Sequence, residues 1–137
     1  MMDRKPHQER SLVILKPDAV QRSLMGEILK RFEQTGLKIS AMKMFMAKEE
    51  QLLKHYNKTD EWFLKKGNRT IDDLKAQGLP VEKEAIEYGK DIIRTIVHYM
   101  TAAPVVAMVL EGNQAVGVVT KLVGTTEPST SDVGTIR

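Results

Sequence analysis

The chain has 137 residues, of which 42% are hydrophobic and 28% charged, enough for one domain with a buried core and too apolar for a disordered chain. Its 21 basic residues are dispersed among 18 acidic ones, for a net charge of +3, with no basic block and no aromatic RNA-binding motif, so nucleic acid is not an expected partner. Cysteine is absent, which excludes disulfides, thiolate metal sites and cysteine nucleophiles. The polar start, Met1 to Arg10, and the lack of any apolar stretch of transmembrane length predict a cytoplasmic domain without membrane association.

Ser11 to Lys16 is an apolar run that predicts a strand buried on both faces, ended by Pro17, which has no N–H to donate to a ladder. Leu24, Ile28, Leu29 and Phe32 recur at helical spacing, and Gly36 is placed to stop that helix in the left-handed conformation. Leu37 to Met46 predicts a second strand. Its first half alternates, whereas Met42, Met44, Phe45 and Met46 leave the second half apolar on both faces, a surface that calls for cover such as a subunit partner. Lys48 to Tyr56 predicts a short helix with Leu52, Leu53 and Tyr56 on one side.

Between Asn57 and Glu82 the pattern weakens, and the expectation is an insertion with one small helix at Ile71–Gln77. Lys83 to Thr101 predicts a longer helix facing the core through Ile86, Ile92, Ile93, Ile96, Val97 and Met100. Pro104 to Leu110 predicts a third buried strand. Asn113 is the expected cap of a helix from Gln114 to Val123, closed by Gly124, and the remainder predicts a loop. The order β-α-β-α-(insert)-α-β-α-loop implies an α+β fold of the ferredoxin-like, split βαβ kind, an antiparallel sheet with helices on one face and no recognisable fourth strand. The expectation is a single domain over 1–137 with the insertion at 57–82 inside it.

Two segments carry most of the chemistry. Leu15-Lys16-Pro17-Asp18-Ala19-Val20-Gln21-Arg22 puts a lysine at the end of the first strand. Gly124-Thr125-Thr126-Glu127-Pro128, followed by Val133-Gly134-Thr135-Ile136-Arg137, makes a Gly/Thr/Pro-rich loop ending in an arginine. Cations to neutralise charge, with hydroxyls and backbone N–H groups to orient oxygens, suit a polyphosphate. A compact ammonium is a good point charge for a phosphoryl group in transfer, and a guanidinium fork suits pairs of oxygens.

The order and spacing of these motifs resemble nucleoside diphosphate kinases, over nearly the whole chain apart from 57–82. The resemblance implies transfer of the γ-phosphate of a nucleoside triphosphate to a nucleoside diphosphate through a phosphohistidine, with Mg²⁺ on the phosphates and a homo-oligomeric assembly. It also implies roles for residues. Lys16 matches the lysine that contacts the transferred phosphate, and Tyr56, in a segment ending His55-Tyr56, matches a phenol near the phosphate pocket; the residues alone read equally as a core aromatic on an amphipathic helix, and one side chain can serve as both. Trp62 or Phe63 matches the ring on which the base stacks, an interaction worth roughly 1–3 kcal/mol and tolerant of base identity. Thr126 and Arg137 match phosphate contacts of the loop. The family's arginine four residues before Gly124 falls on Thr120; Lys121 beside it is the candidate replacement, rotated by about 100° around a helix.

The family's phosphohistidine follows the Gly-Thr-Ile-Arg segment. His7, in a polar tail, and His55 and His98, beside tyrosines on predicted helices, do not match it. The 137-residue chain by itself is therefore expected not to complete the transfer. The alternative expectation is a non-catalytic nucleotide-binding or assembly module of the same fold.

Overall fold

Strand β3, Val105–Asn113, is the element on which the sheet is built, because it pairs on both sides. The computed structural model describes residues 8–137; His7 lies outside them. Strand β1, Gln8–Leu15, runs antiparallel to β3 from the pair Gln8–Asn113 to Leu15–Val106. Strand β2, Lys38–Phe45, runs antiparallel along the other side of β3, with a register irregularity between Ile39 and Ala41. The sheet order is thus β1-β3-β2. By contacts the chain divides into two compact units, one ending at Phe45 and resuming at Pro104, the other spanning Met46–Ala103.

In the first unit, helix α1 covers Pro17–Gln21, α2 Met25–Gln34 and α6 Ala115–Val123, followed by a 3₁₀ turn at Pro128–Thr130. Opposed residues of an antiparallel pair share a face, so Val13 with Met108 and Leu15 with Val106 form continuous apolar rows. These rows make one cluster with Ile28 and Phe32 of α2 and Ala115 and Val119 of α6. Helices therefore cover one sheet face, as the ferredoxin-like expectation requires.

Other expectations are corrected. Strand β1 is not buried on both faces: Val13 and Leu15 are buried, but Leu12, pointing the other way, is 56% exposed. A run without polar residues hides the period-2 alternation that the sheet imposes. Pro17 does more than end β1, since its fixed φ suits the first turn of α1. On β2, Met42 and Met44 extend the rows of Met108 and Val106 outward to the sheet edge, where they stay 46% and 53% exposed. Strand β3 runs on past Leu110, so Asn113 pairs with Gln8 and does not cap α6; Gln114, at φ 54°, precedes that helix instead. Gly36 does sit at φ 85°, the left-handed stop expected after α2.

The second unit holds α3, Glu49–His55, α4, Asp60–Ala76, and α5, Ala85–Met100. The small helix expected at 71–77 is the end of the 17-residue α4. Thr59 caps its start, the hydroxyl accepting the Trp62 N–H at 3.2 Å. Its inward stripe, Phe63, Gly67, Ile71 and Leu74, has helical spacing, but a glycine in the middle reads as a break. Packing explains that glycine. A Cβ on Gly67 would stand 1.6 Å from the Ala85 carbonyl oxygen of α5, and one on Gly89 of α5 would stand 2.1 Å from the Phe63 carbonyl oxygen of α4. Two glycines, one on each helix, let the backbones touch. Along α5, Gly89, Ile93, Val97 and Met100 are the buried residues.

Gly67→Ala or Gly89→Ala is expected to destabilise the chain by about 2–3 kcal/mol, because backbone must move to admit the methyl group. Gly26→Ala, where nothing lies within 4 Å of the added Cβ, is expected to be neutral or stabilising. Urea unfolding of the three variants checks the contrast.

Candidate functional site

The end of β1 delivers Lys16 to the surface. Its backbone is extended (φ −74°, ψ 166°) and precedes α1, and its carbonyl accepts the N–H groups of Ala19 at 3.1 Å and Val20 at 3.4 Å. Leu15 and Pro17 on either side are buried, so the backbone is anchored while the ammonium is exposed. It makes no ion pair among the described residues.

The loop after α6 is built around Gly124, at φ 90°. A Cβ there would lie 2.8 Å from both the Ser131 Oγ and the Thr135 Oγ1, so the position needs glycine for its conformation and for space. Beyond it the loop is laced to itself. The Thr125 hydroxyl donates to the Glu127 carbonyl at 2.8 Å and lies 2.7 Å from the Thr130 hydroxyl and 2.9 Å from that of Ser131. The chain then returns to α6: the Ile136 N–H donates to the Leu122 carbonyl at 2.9 Å and the Arg137 N–H to that of Val123 at 3.0 Å. Ile136 packs against the core cluster. From α2, the Arg31 guanidinium donates to the Gly134 carbonyl.

These contacts position two of the expected phosphate contacts. Arg137 is held by its backbone and by Nη1 donating to the Thr125 carbonyl at 3.3 Å, which leaves the rest of its fork exposed. The Thr126 hydroxyl, next to the laced Thr125, has no partner among the described residues and faces solvent. Thr120, at the family's arginine position, returns its hydroxyl to the Val116 carbonyl at 2.8 Å, whereas Lys121 is exposed and unpaired among the described residues. The loop's donors are hydroxyls, a guanidinium and backbone N–H groups, a set that holds an anion rather than a cation.

In the second unit, Tyr56 ends α3 half-buried, its ring edge-on to His55 at 4.8 Å. Trp62 and Phe63 lie in the first turn of α4, edge to face at 5.6 Å and both half-buried. The ammonium groups of Lys58 and Lys66 lie over the Trp62 ring, 5.4 and 5.8 Å from its centre. His55 and His98 are exposed.

The residue missed from sequence is Arg31. As a basic residue in the last turn of a helix it carries no motif, and its partner Gly134 lies 103 positions away. Thr125, Thr130 and Ser131, whose hydroxyls bond within the loop, were legible only as polar loop composition.

Comparison with known proteins decides the family. The nucleoside diphosphate kinase family model matches residues 9–71 and 83–137. The chain belongs to the nucleoside diphosphate kinase family. The kinase of Pyrobaculum aerophilum is 46% identical over 134 residues, covering 94% of this chain and 73% of that protein. The crystal structure of an NDP kinase from the same organism superimposes with a TM-score of 0.85 at 42% identity, over 94% of this chain and 74% of that one. A transition-state mimic of the Borrelia burgdorferi nucleoside diphosphate kinase, with bound vanadate and ADP, superimposes with a TM-score of 0.72 at 30% identity. It is covered to 65%, against 96% of this chain. Nucleoside diphosphate kinases are phosphotransferases, and the fold described above is theirs.

Two expectations follow from the geometry. Gly124→Ala is expected to disorder the loop and Arg31→Ala to loosen its Gly134 end, both seen as faster amide exchange at Thr125 to Ile136 with the sheet amides unchanged. Burial raises the Tyr56 phenol above its ordinary 10.0, so the fold favours the neutral form. That contribution to stability is complete below pH 10 and is lost as pH rises through the raised value. The phenolate absorbance missing in Tyr56→Phe is expected to be a component that titrates above pH 10.

Proposed function

We propose that Lys16, Thr126 and Arg137 bind the phosphates of a nucleoside di- or triphosphate, with Lys121 taking the part of the family's arginine and Tyr56 lying near the phosphates. The observation that carries this is the self-laced loop, which holds the Arg137 fork and the Thr126 hydroxyl outward on a fixed backbone. A ligand that needs several donors at once gains most from donors already in place. The Borrelia relative, with ADP and vanadate bound, supports an adenine nucleotide and a phosphoryl group as ligands for this fold.

In this reading the chain works as a nucleoside diphosphate kinase. The γ-phosphate of a triphosphate passes to a histidine that follows the Gly-Thr-Ile-Arg segment in the family's pattern, the diphosphate leaves, and a second diphosphate takes the phosphoryl group back. One set of contacts serves both halves because donor and acceptor carry the same phosphates. The Lys16 ammonium and the Arg137 guanidinium stabilise charge on the transferring group, and the Thr126 hydroxyl orients it. Mg²⁺ carried on the phosphates supplies further neutralisation. Trp62 or Phe63 takes the base.

The stretch 57–82 is an insertion in this reading, supported by the family match, which leaves out 72–82. Self-association through β2 is supported by its exposed Met42 and Met44 at a sheet edge. No helix among the described residues is long and apolar enough to cross a membrane. We place the chain in the cytoplasm, with its nucleotide substrates.

Titration calorimetry with Mg²⁺-ADP tests the phosphate assignment. Lys16→Ala and Arg137→Ala are each expected to weaken binding about 10- to 100-fold, the effect of losing a charge-assisted hydrogen bond, and Thr126→Ala about fivefold. Unchanged affinity in both charge variants would overturn it.

A further inference from the structure

Trp62 is the single tryptophan of the chain, and its surroundings are unusual for an aromatic on a solvent-facing helix. The Thr59 cap fixes the first turn of α4 and with it the Trp62 backbone. Lys58 stands four residues before the ring and Lys66 four residues after, and both ammonium groups lie over it. Neither ammonium group makes a hydrogen bond or ion pair among the described residues. Two cations drawn to one ring and left without a carboxylate make a positively charged platform.

We propose that Lys58 and Lys66 make this platform selective for keto bases, guanine, uracil and thymine, over the amino bases adenine and cytosine. The inference rests on the reading of Trp62 as the base-stacking ring. A base that stacks on the indole must move an ammonium off the face it covers. That ammonium stays tethered by its four-carbon stem and stands beside the rim of the base. Guanine O6, and O4 of uracil or thymine, accept a hydrogen bond from it. Adenine and cytosine present an amino group at the same place, which only donates. A keto base therefore replaces the cation–π contact that stacking displaces with its exocyclic oxygen, whereas an amino base has only the ring nitrogens beside its amino group, N1 and N7 of adenine or N3 of cytosine, and replaces it less fully. Stacking alone is indifferent to the base, so the selectivity comes from the lysines.

The test measures Kd for Mg²⁺-GDP and Mg²⁺-ADP by calorimetry, with quenching of the Trp62 fluorescence as a direct report of stacking. The unaltered chain is expected to bind GDP about three- to tenfold more tightly than ADP, the size of a net hydrogen bond from a charged group at an exposed site. The double variant Lys58→Met/Lys66→Met keeps the length of both stems and is expected to bring the two constants within about twofold, chiefly by weakening GDP. Equal affinities in the unaltered chain, or a ratio that the double variant leaves unchanged while both nucleotides quench Trp62, would overturn selection by the lysines and leave the stacking reading standing. If neither nucleotide quenches Trp62, and Trp62→Leu leaves both constants unchanged, the stacking reading itself falls and the selectivity with it.

Discussion

Burial of one face of the sheet around β3 is the constraint from which the first unit follows. Val106, Met108 and Leu110 are at most 1% exposed, and each sits in a row that β1 continues on one side. A central strand so buried must satisfy its backbone groups within the ladder, so its two neighbours are obligatory. The same burial decides where functional groups emerge. Strand β1 is fixed in register by Val13 and Leu15, so the chain leaves the sheet at Lys16. Strand β3 leads within two residues into α6, whose Ala115 and Val119 face the same core, and α6 hands the chain to the loop at Gly124.

The loop shows how a polar segment becomes a rigid presenter of charge. It has little apolar content of its own, and Val133 is fully exposed. Order comes from Ile136, which packs on the core, from the return of two backbone N–H groups to the end of α6, and from hydroxyls that bond inside the loop. Arg31 adds a tie from α2. The loop's ordering cost is met during folding, so the Arg137 fork and the Thr126 hydroxyl stand on a backbone that is already held. Thr125 and Thr126 divide the work: the first has its hydroxyl committed inside the loop, and the second keeps its hydroxyl outward.

In the second unit the corresponding device is the contact between α4 and α5. Glycine is the least favourable helix residue after proline, yet each of these helices spends one where the two backbones touch. The exchange is close packing for intrinsic propensity. It also fixes Phe63, whose carbonyl forms part of that contact, while its neighbour Trp62 turns to the lysines.

The sequence by itself determined the order of the three strands, α2 and α6 in the first unit, because its apolar runs and its left-handed glycines, Gly36 and Gly124, are local signals that the structure obeys, while the short α1 and the 3₁₀ turn carried no such signal. It also determined the family, since the Lys16-Pro17-Asp18 turn and the loop from Gly124 to Arg137 are contiguous motifs. Tertiary structure alone decided which face of β1 is buried, since an unbroken apolar run carries no alternation and only the helices packed on the sheet choose a side. It decided that Met42 and Met44 lie at an open edge, which depends on strand order. It turned the weak pattern around Gly67 into a 17-residue helix, because a glycine that breaks an isolated helix becomes its tightest contact once α5 lies against it. And it alone joined Arg31 to Gly134, for a contact across 103 residues leaves no periodicity along the chain.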